Sequence, residues 1–456
     1  MSKFIALHHL LGKGRDESHP VCHDDSRTIV WSEFAGRVHA QTAILSATQE
    51  RRWLLAAEQP LDFAVLFLAL LHSGKEIVIP PNTRPGTLNQ LKDSFDGIAD
   101  GGSGATSSPI TLGAIDPQKA IIDLYTSGST GEPKRIRKTL AQFESEISSL
   151  EKLWGNTLEH SSIVSTVPHH HIYGLLFRLL WPLSAGRAFD NLNCAHPDTL
   201  NSRLDQLRDC ALVSSPAQLT RLPELVPLAS LMPAPRIIFS SGGPLPKTSA
   251  EEFNRQLGRA PTEIFGSTET GGIAWRRQEN DDAWTLFPEI SANSDQDGAL
   301  VVRSPFLSAD GQNEAELRMA DAAELLTDKR FRLLGRLDRI VKIEEKRLSL
   351  PELEARLTEH PWIVAGAAVA LAGRRQQIGA VLVLNTEGRD HLEQHGRRSS
   401  IQELRRFLAQ YFEAVMLPRR WRFAEQLPIN ERGKLTHAAL SQLFSSPEIQ
   451  DEPAAP

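Results

Sequence analysis

Short, uninterrupted apolar runs separated by longer stretches of helical periodicity organise most of this chain. "RRWLLAA" from Arg51 and "EIVIPP" from Glu76 read as buried strands. They bracket "LDFAVLFLALLHSG", whose length and continuous apolar character predict a buried helix. The same alternation returns where "SSIVSTVP" precedes "LLFRLLWPL" and where "PRIIFSSGG" precedes "LPKTSAEEFNRQL". Strands alternating with helices in this way predict βαβ units around a largely parallel sheet, an α/β body. "DGIADGGSGATSSP" reads as a Gly/Ser-rich loop and "EIQDEPAAP" as a frayed tail. A charged turn inside "LLGRLDRIVKI" separates this body from a last segment with its own strand and helix signals. The expected organisation is a large N-terminal domain, residues 1–337, with parallel-rich sheets, and a small α+β C-terminal domain, residues 338–456, with a hinge between them.

Composition narrows the function classes. The 456 residues are 41% hydrophobic and 23% charged, an ordinary globular balance with room for more than one domain. A formal net charge of -6 and an isoelectric point near 6.2 give no general attraction to nucleic acid or to an anionic membrane. The start, "MSKFIALHHLLGKGRDE", is too interrupted for a signal peptide, and no segment has the apolar length of a membrane span, so a cytoplasmic protein without membrane insertion is expected. Cys22, Cys194 and Cys210 are odd in number and in no CxxC spacing, which points to neither a disulfide framework nor a zinc knuckle.

The chemistry concentrates first in "YTSGSTGEPKRIRKTL", residues 125–140, behind the apolar run "AIIDL". Small residues let the backbone bend close to a ligand, and a row of N–H and hydroxyl donors suits phosphate oxygens. A Walker A loop does not fit, because Gly128 and Gly131 are two residues apart and Lys134 follows Pro133. Further on stand "SSGGPLP" from Ser240, "FGSTETGG" from Phe265, "GRLDRIVKIEEKRLSLPELE" from Gly335 and "LPINERGKLTHAAL" from Leu427. In this order and spacing the motifs resemble those of the adenylate-forming (AMP-binding) superfamily, which includes acyl-CoA synthetases, luciferases and the adenylation domains of peptide synthetases. The compact length resembles the stand-alone bacterial ligases.

That resemblance implies an ATP- and Mg²⁺-dependent acid–thiol ligase working through acyl-adenylate and then thioester formation. Joining a carboxylate to the α-phosphorus brings two anions together, so donors and cations must neutralise the developing charge. By resemblance Thr126, Ser127, Gly128, Ser129, Thr130 and Gly131 wrap the β- and γ-phosphates with help from Lys134, and Thr268 holds the α-phosphate. Glu269 is the implied magnesium ligand, a hard oxygen donor for a hard ion. Gly242, Gly243 and Pro244 wall the adenine pocket, with Phe265 and Gly266 at the head of the Glu269 motif. Asp321 is the implied ribose ligand and Arg336 a ribose or phosphate contact, while Lys434 enters from the small domain to touch carboxylate and α-phosphate. Asp338 is the implied hinge. Lys342 lies on the face of the small domain used in thioester formation.

"VPHHHIYG", residues 167–174, could place His169 and His171 on one face of a strand, but no third metal ligand stands at a diagnostic spacing. The resemblance instead sets His171 at the acyl end of the site. Between Pro168 and Trp181 there is no acidic residue to pair a substrate ammonium, which disfavours an α-amino acid. "LLFRLLWPL" with Tyr173 suggests an apolar pocket, leaving aliphatic and aryl acids both open. Glu345 stands where relatives carry a glycine lining the pantetheine passage, so the acceptor is left between CoA and the phosphopantetheine of an acyl carrier protein.

Overall fold

The computed structural model describes residues 4–25, 27–101, 112–127, 133–231, 233–307, 316–327, 329–343, 346–371, 377–428, 435 and 437–444. Two compact units divide the chain. One comprises Met1–Ala292, Val302–Leu317 and Thr327–Arg330; the other comprises Asn293–Val301, Arg318–Leu326 and Phe331–Pro456. Besides the block that opens at Phe331, the second unit thus includes two earlier segments.

The first unit begins with an antiparallel pair, β1 (Pro20–His23) and β2 (Thr28–Val30). Next come β3 (Arg52–Leu55), β4 (Glu76–Ile79), β5 (Gly97–Ala99), β6 (Ile121–Ser127) and β7 (Pro133–Thr139), which form a sheet in the order β5-β3-β4-β6-β7. Its pairs are parallel except β6 with β7. The helix between β3 and β4, Pro60–His72, starts on Pro60, and its residues from Phe63 to Leu71 are all buried. A helix apolar on every side has to lie inside the protein, as its sequence predicts. The strand β5 departs from the loop expected around "DGIADGG". Gly97–Ala99 pairs in parallel with Trp53–Leu55, because Ile98 and Ala99 need only a short register to extend the sheet edge.

A second sheet adds β8 (Ser162–Ser165), β9 (Phe189–Asp190), β10 (Cys210–Ser214), β11 (Ile238–Ser240), β12 (Thr262–Ser267), β13 (Gly271–Arg276) and β14 (Trp284–Leu286). Within this unit its order is β14-β13-β12-β11-β10-β8-β9-β1-β2. The centre, β8, β10, β11 and β12, is parallel, so their carboxyl ends share one edge. The helix Leu140–Leu158 is opened by a capping box between Thr139 and Gln142 and buries Phe143, Ile147, Leu150, Trp154 and Leu158 at helical spacing. Around Trp154 gather Phe239 and Phe287, with ring centroids 5.2 and 5.9 Å away, and Phe177 lies 5.1 Å from Phe239. Each such ring removed from water stabilises the fold by about 1.5–3 kcal/mol.

This cluster corrects one expectation. Leu175, Leu176, Phe177, Leu179, Leu180 and Trp181 are buried core rather than pocket lining. Among the described residues no helix is long and apolar enough to cross a membrane.

In the second unit a hairpin pairs Ile340–Ile343 with Lys346–Ser349, and the helix Leu350–Thr358 follows, capped by Ser349 accepting from the Glu352 N–H at 3.3 Å. A sheet of Ile363–Leu371, Gln377–Leu384 and Arg420–Phe423 covers a core that includes Leu353, Leu357, Leu404, Leu408 and Trp421. The helical run Thr386–Leu408 is broken at Gly396, where φ is 76°.

Candidate active site

The carboxyl edge of the parallel strands in the first unit is where an open α/β sheet places its ligands. There β12 ends in Phe265, Gly266 and Ser267, a turn carries Thr268, Glu269 and Thr270, and β13 departs from Gly271. The turn is held from inside: the Ser267 N–H donates to Thr270 Oγ1 at 2.9 Å, and Thr270 Oγ1 donates to the Gly271 carbonyl at 2.8 Å. Gly266 lies so close to the Gly271 carbonyl that a Cβ would collide with it, and Gly271 adopts φ 68°. Both glycines are steric requirements of this turn. Phe265 packs its ring 5.4 Å from that of Trp284.

The turn meets the expected phosphate loop. Thr126 and Lys134 are paired across β6 and β7, on either side of the connection, and Lys134 Nζ lies 2.7 Å from Glu269 Oε1. Burial works to raise the pKa of the Glu269 carboxyl, but hydrogen bonds from Lys134 and from its own backbone outweigh it and hold the group below the ordinary carboxylate range. It is therefore an ionised, half-buried oxygen donor, the kind of ligand that magnesium takes. Thr268 is half-buried in the same turn. Residues 128–132 lie outside the described residues, so Gly128, Ser129, Thr130 and Gly131 are not placed; Ser127 closes β6.

Beside β12, the strand β11 runs into Ser241, Gly242, Gly243 and Pro244. Ser241 Oγ donates to the Ile264 carbonyl at 2.9 Å, which ties this turn to the strand leading to Glu269. Gly242 needs its freedom, with φ 94°. On the other side β8 leads into the histidine segment. Thr166 and Ser214 hydroxyls meet at 2.8 Å, joining the ends of β8 and β10. His171 is exposed at the start of the next helix, and its carbonyl accepts from the Leu175 N–H at 2.7 Å. His169 is buried, and its Nε2–H donates to the Ala57 carbonyl at 3.0 Å. Burial holds it near pKa 4, so it is a neutral structural imidazole at neutral pH.

Three buried charged residues support this edge and were missed by sequence reasoning. Lys138, on β7 and 1% exposed, donates from Nζ to the Glu269 carbonyl at 3.1 Å and to the Phe306 carbonyl. Glu146, also 1% exposed, accepts from the Gly272 N–H at 2.6 Å, and its carboxyl lies against Gly271. Burial lowers the pKa of Lys138 and raises that of Glu146, and the attraction between them opposes both shifts. Together they grip the Glu269 turn at both ends. Arg178 is fully buried and donates to the carbonyls of Val167 (3.1 Å), Asp190 (3.3 Å) and Leu192 (2.6 Å), which fixes the start of the histidine segment.

The remaining expected residues belong to the second unit. Asp321 is half-buried on the strand Glu316–Thr327, and Arg336 is exposed at the end of the neighbouring strand Arg330–Arg336. Just before it Gly335 has φ 115°, and a side chain there would crowd Ser349 and Pro351. Asp338 lies in the 3₁₀ turn Leu337–Arg339, and Lys342 is paired with Arg347 in the hairpin. Lys434 and Glu345 fall outside the described residues.

Residues 82–293 match the family described as AMP-binding enzyme. A 4-coumarate–CoA ligase of Cereibacter sphaeroides is 31% identical over 325 residues, covering 70% of each chain. Among solved structures, MatB of Rhodopseudomonas palustris with ATP bound matches with a TM-score of 0.80 at 18% identity, over 96% of this chain and 98% of that one. The O-succinylbenzoate CoA synthetase of Bacillus subtilis in complex with AMP matches with a TM-score of 0.77 at 17% identity, over 97% and 98%. At these identities the two structures establish likeness of fold.

Proposed function

The chain belongs to the AMP-binding enzyme family, and on that footing we propose that it is an ATP-dependent ligase that activates an aryl or aliphatic carboxylic acid as acyl-AMP and passes the acyl group to CoA. In the first half-reaction a carboxylate oxygen attacks the α-phosphorus, a new C–O–P linkage forms, and the bond to the bridging oxygen breaks so that pyrophosphate leaves. In the second, a thiolate sulfur attacks the acyl carbon and AMP departs as the thioester forms. The observation that carries this reading is the 2.7 Å pair between Lys134 and Glu269, which sets a cation and an ionised carboxylate together beside the phosphate loop.

Each group has a role that follows from charge. Thr126, Ser127 and the 128–131 loop donate to the β- and γ-phosphates, with Lys134 assisting and Thr268 at the α-phosphate. Magnesium, when bound, neutralises phosphate charge, and Glu269 is the protein ligand that would hold it. Residues 338–456 act as a mobile lid about Asp338. They bring Lys434 to the site for adenylation and Lys342 to the other face for thiol transfer, with Asp321 and Arg336 on the nucleotide.

The 4-coumarate–CoA ligase relative supports CoA as acceptor and an aryl acid as substrate. The absence of an acidic residue from Pro168 to Trp181 argues against an amino acid. Pyrophosphate release should be screened over aryl, aliphatic and amino acids with CoA or a holo carrier protein as acceptor. Release dependent on an aryl or aliphatic acid, with thioester formed on CoA, is expected. Carrier-only turnover would replace the acceptor, and no acid-dependent release at all would overturn the ligase reading.

A further inference from the structure

The turn formed by Gly242, Gly243 and Pro244 is exposed, yet both of its ends are tied to consecutive residues of β12. At its start Ser241 Oγ donates to the Ile264 carbonyl at 2.9 Å. At its end the buried Leu245 is held through both of its backbone groups: its N–H donates to Glu263 Oε2 at 3.0 Å, and its carbonyl accepts from Gln278 Nε2 at 2.8 Å. Three exposed residues between two such anchors make a fixed ledge at the carboxyl edge of the sheet. A ledge already in place binds a ligand without first having to be ordered.

Glu263 is the centre of this clamp. It is 1% exposed, and its carboxylate accepts four hydrogen bonds: from the Leu245 N–H, from Arg276 Nε at 2.8 Å and Nη2 at 3.1 Å, and from Gln278 Nε2 at 2.7 Å. A carboxylate so buried persists only when it is paired and supplied with donors, and the two-pronged grip of an arginine fixes its orientation as well as its charge. Register makes the pair possible, because Glu263 on β12 stands directly opposite Arg276 on β13. Arg276 extends the contacts further. Its guanidinium carbon lies 4.4 Å from the centre of the Trp284 ring, against which Phe265 packs. One buried network thus fixes the end of the 242–244 turn and backs the residue at the head of the Glu269 motif.

We propose that Glu263, together with Arg276 and Gln278, positions the wall of the base pocket and thereby sets the affinity for adenine nucleotides. The inference rests on the reading of Gly242, Gly243 and Pro244 as the adenine wall. Glu263 and Gln278 act through the backbone of Leu245, so their role requires no contact with the nucleotide. Their influence falls on the base and spares the phosphates, whose proposed donors, Thr126, Lys134 and Thr268, stand on other segments of the edge.

The test is equilibrium binding to the full-length protein, followed by heat, with AMP in one arm and inorganic triphosphate, which has no base, in the other. Gln278→Leu removes a half-buried amide and leaves the Glu263–Arg276 pair in place, so the fold should survive, as thermal melts would verify. AMP binding should weaken about tenfold, on the scale of one hydrogen bond to a charged group, with triphosphate binding as in the wild type. Glu263→Gln, which keeps an oxygen for the Leu245 N–H, should retain more AMP affinity than Glu263→Met, which keeps none. In acid-dependent pyrophosphate release, Gln278→Leu should raise the KM for ATP about tenfold and change kcat by less than about twofold, the pattern of a loss of uniform binding. Equal AMP affinity in wild type and Gln278→Leu, or parallel loss of AMP and triphosphate, would overturn the positioning role and leave the ligase reading standing. A base-specific loss of AMP binding in a protein that releases no pyrophosphate with any acid would do the opposite.

Discussion

Lys138→Met isolates the support of the Glu269 turn from the chemistry of Glu269 itself. Methionine keeps most of the length and volume of the buried stem and removes the ammonium that bonds the carbonyls of Glu269 and Phe306. Hydrogen bonds to a charged group contribute about 1.5–3 kcal/mol each. Removing both also abolishes the cost of burying an ammonium, about several kcal/mol, so overall stability should change by no more than about 2 kcal/mol. The local effect does not cancel in this way. Without its carbonyl anchor the turn can shift, and a displacement of about 1 Å in a positioning element costs about 10²-fold in rate. Acid-dependent ATP–pyrophosphate exchange should therefore fall about 10²-fold, with the half-saturating magnesium concentration raised about tenfold. Glu146→Gln, whose side-chain oxygen still accepts from Gly272, should show a much smaller change. The assay is exchange across a magnesium series, paired with thermal melts of each variant. A folded Lys138→Met protein with wild-type exchange at every magnesium concentration would refute the positioning role.

Glu269→Gln should leave the fold intact and weaken magnesium-dependent exchange, because a neutral amide is a poorer ligand for a hard dication; unchanged magnesium dependence would place the ligand elsewhere. Lys434→Ala should cut acid-dependent exchange about 10²-fold with ATP affinity little altered, as measured by equilibrium binding, and normal exchange would remove it from the mechanism. His169 adds an acid-sensitive component to stability. Its folded pKa, near 4, lies below the ordinary 6.5, so its contribution is complete above pH 6.5 and is lost as pH falls toward 4, by about 3 kcal/mol in total. Urea midpoints of His169→Gln should fall less steeply over that window than those of the wild type, and equal slopes would assign the acid sensitivity to other groups.

The alternation of strands and helices in the first unit was legible because parallel strands buried on both faces must be written as continuous apolar runs. "WLLAA", "EIVI" and "SIVS" all became strands of this kind. The strand at Gly97–Ala99 was not legible, since glycine and alanine carry little β signal and its pairing is decided by the neighbouring strand. Nor was the composition of the second unit, because Asn293–Val301 and Arg318–Leu326 join it through tertiary contact with no shift in composition to mark them. Buried charge was the largest blind spot. Lysine and arginine read as surface residues unless a partner is known, and the partners of Lys138 and Arg178 are backbone carbonyls, which leave no mark in sequence. Only weak signals existed. Lys138 shares the inward face of β7 with Ile136, two residues away, and Arg178 sits in the otherwise apolar "LLFRLLWPL".

Glu269 is consequently flanked by two lysines of opposite character, and the difference bears on how the site can work. Lys134 is 60% exposed and its partner 32%, and an ion pair so open to water contributes only about 0–1 kcal/mol. Lys134 can leave the carboxylate for a phosphate oxygen at little cost, and Glu269 can take a metal in exchange. Lys138 cannot leave, because its ammonium is buried and would have to break two carbonyl bonds before reaching any other partner. It also binds the backbone of Glu269 rather than its carboxylate, so holding the turn does not compete with ligand binding. On the proposed reading, one cation would exchange partners during the reaction and the other would keep the turn still while it happens. This division of labour is why Lys134→Ala should raise the requirement for ATP, whereas Lys138→Met should act on turnover and on magnesium.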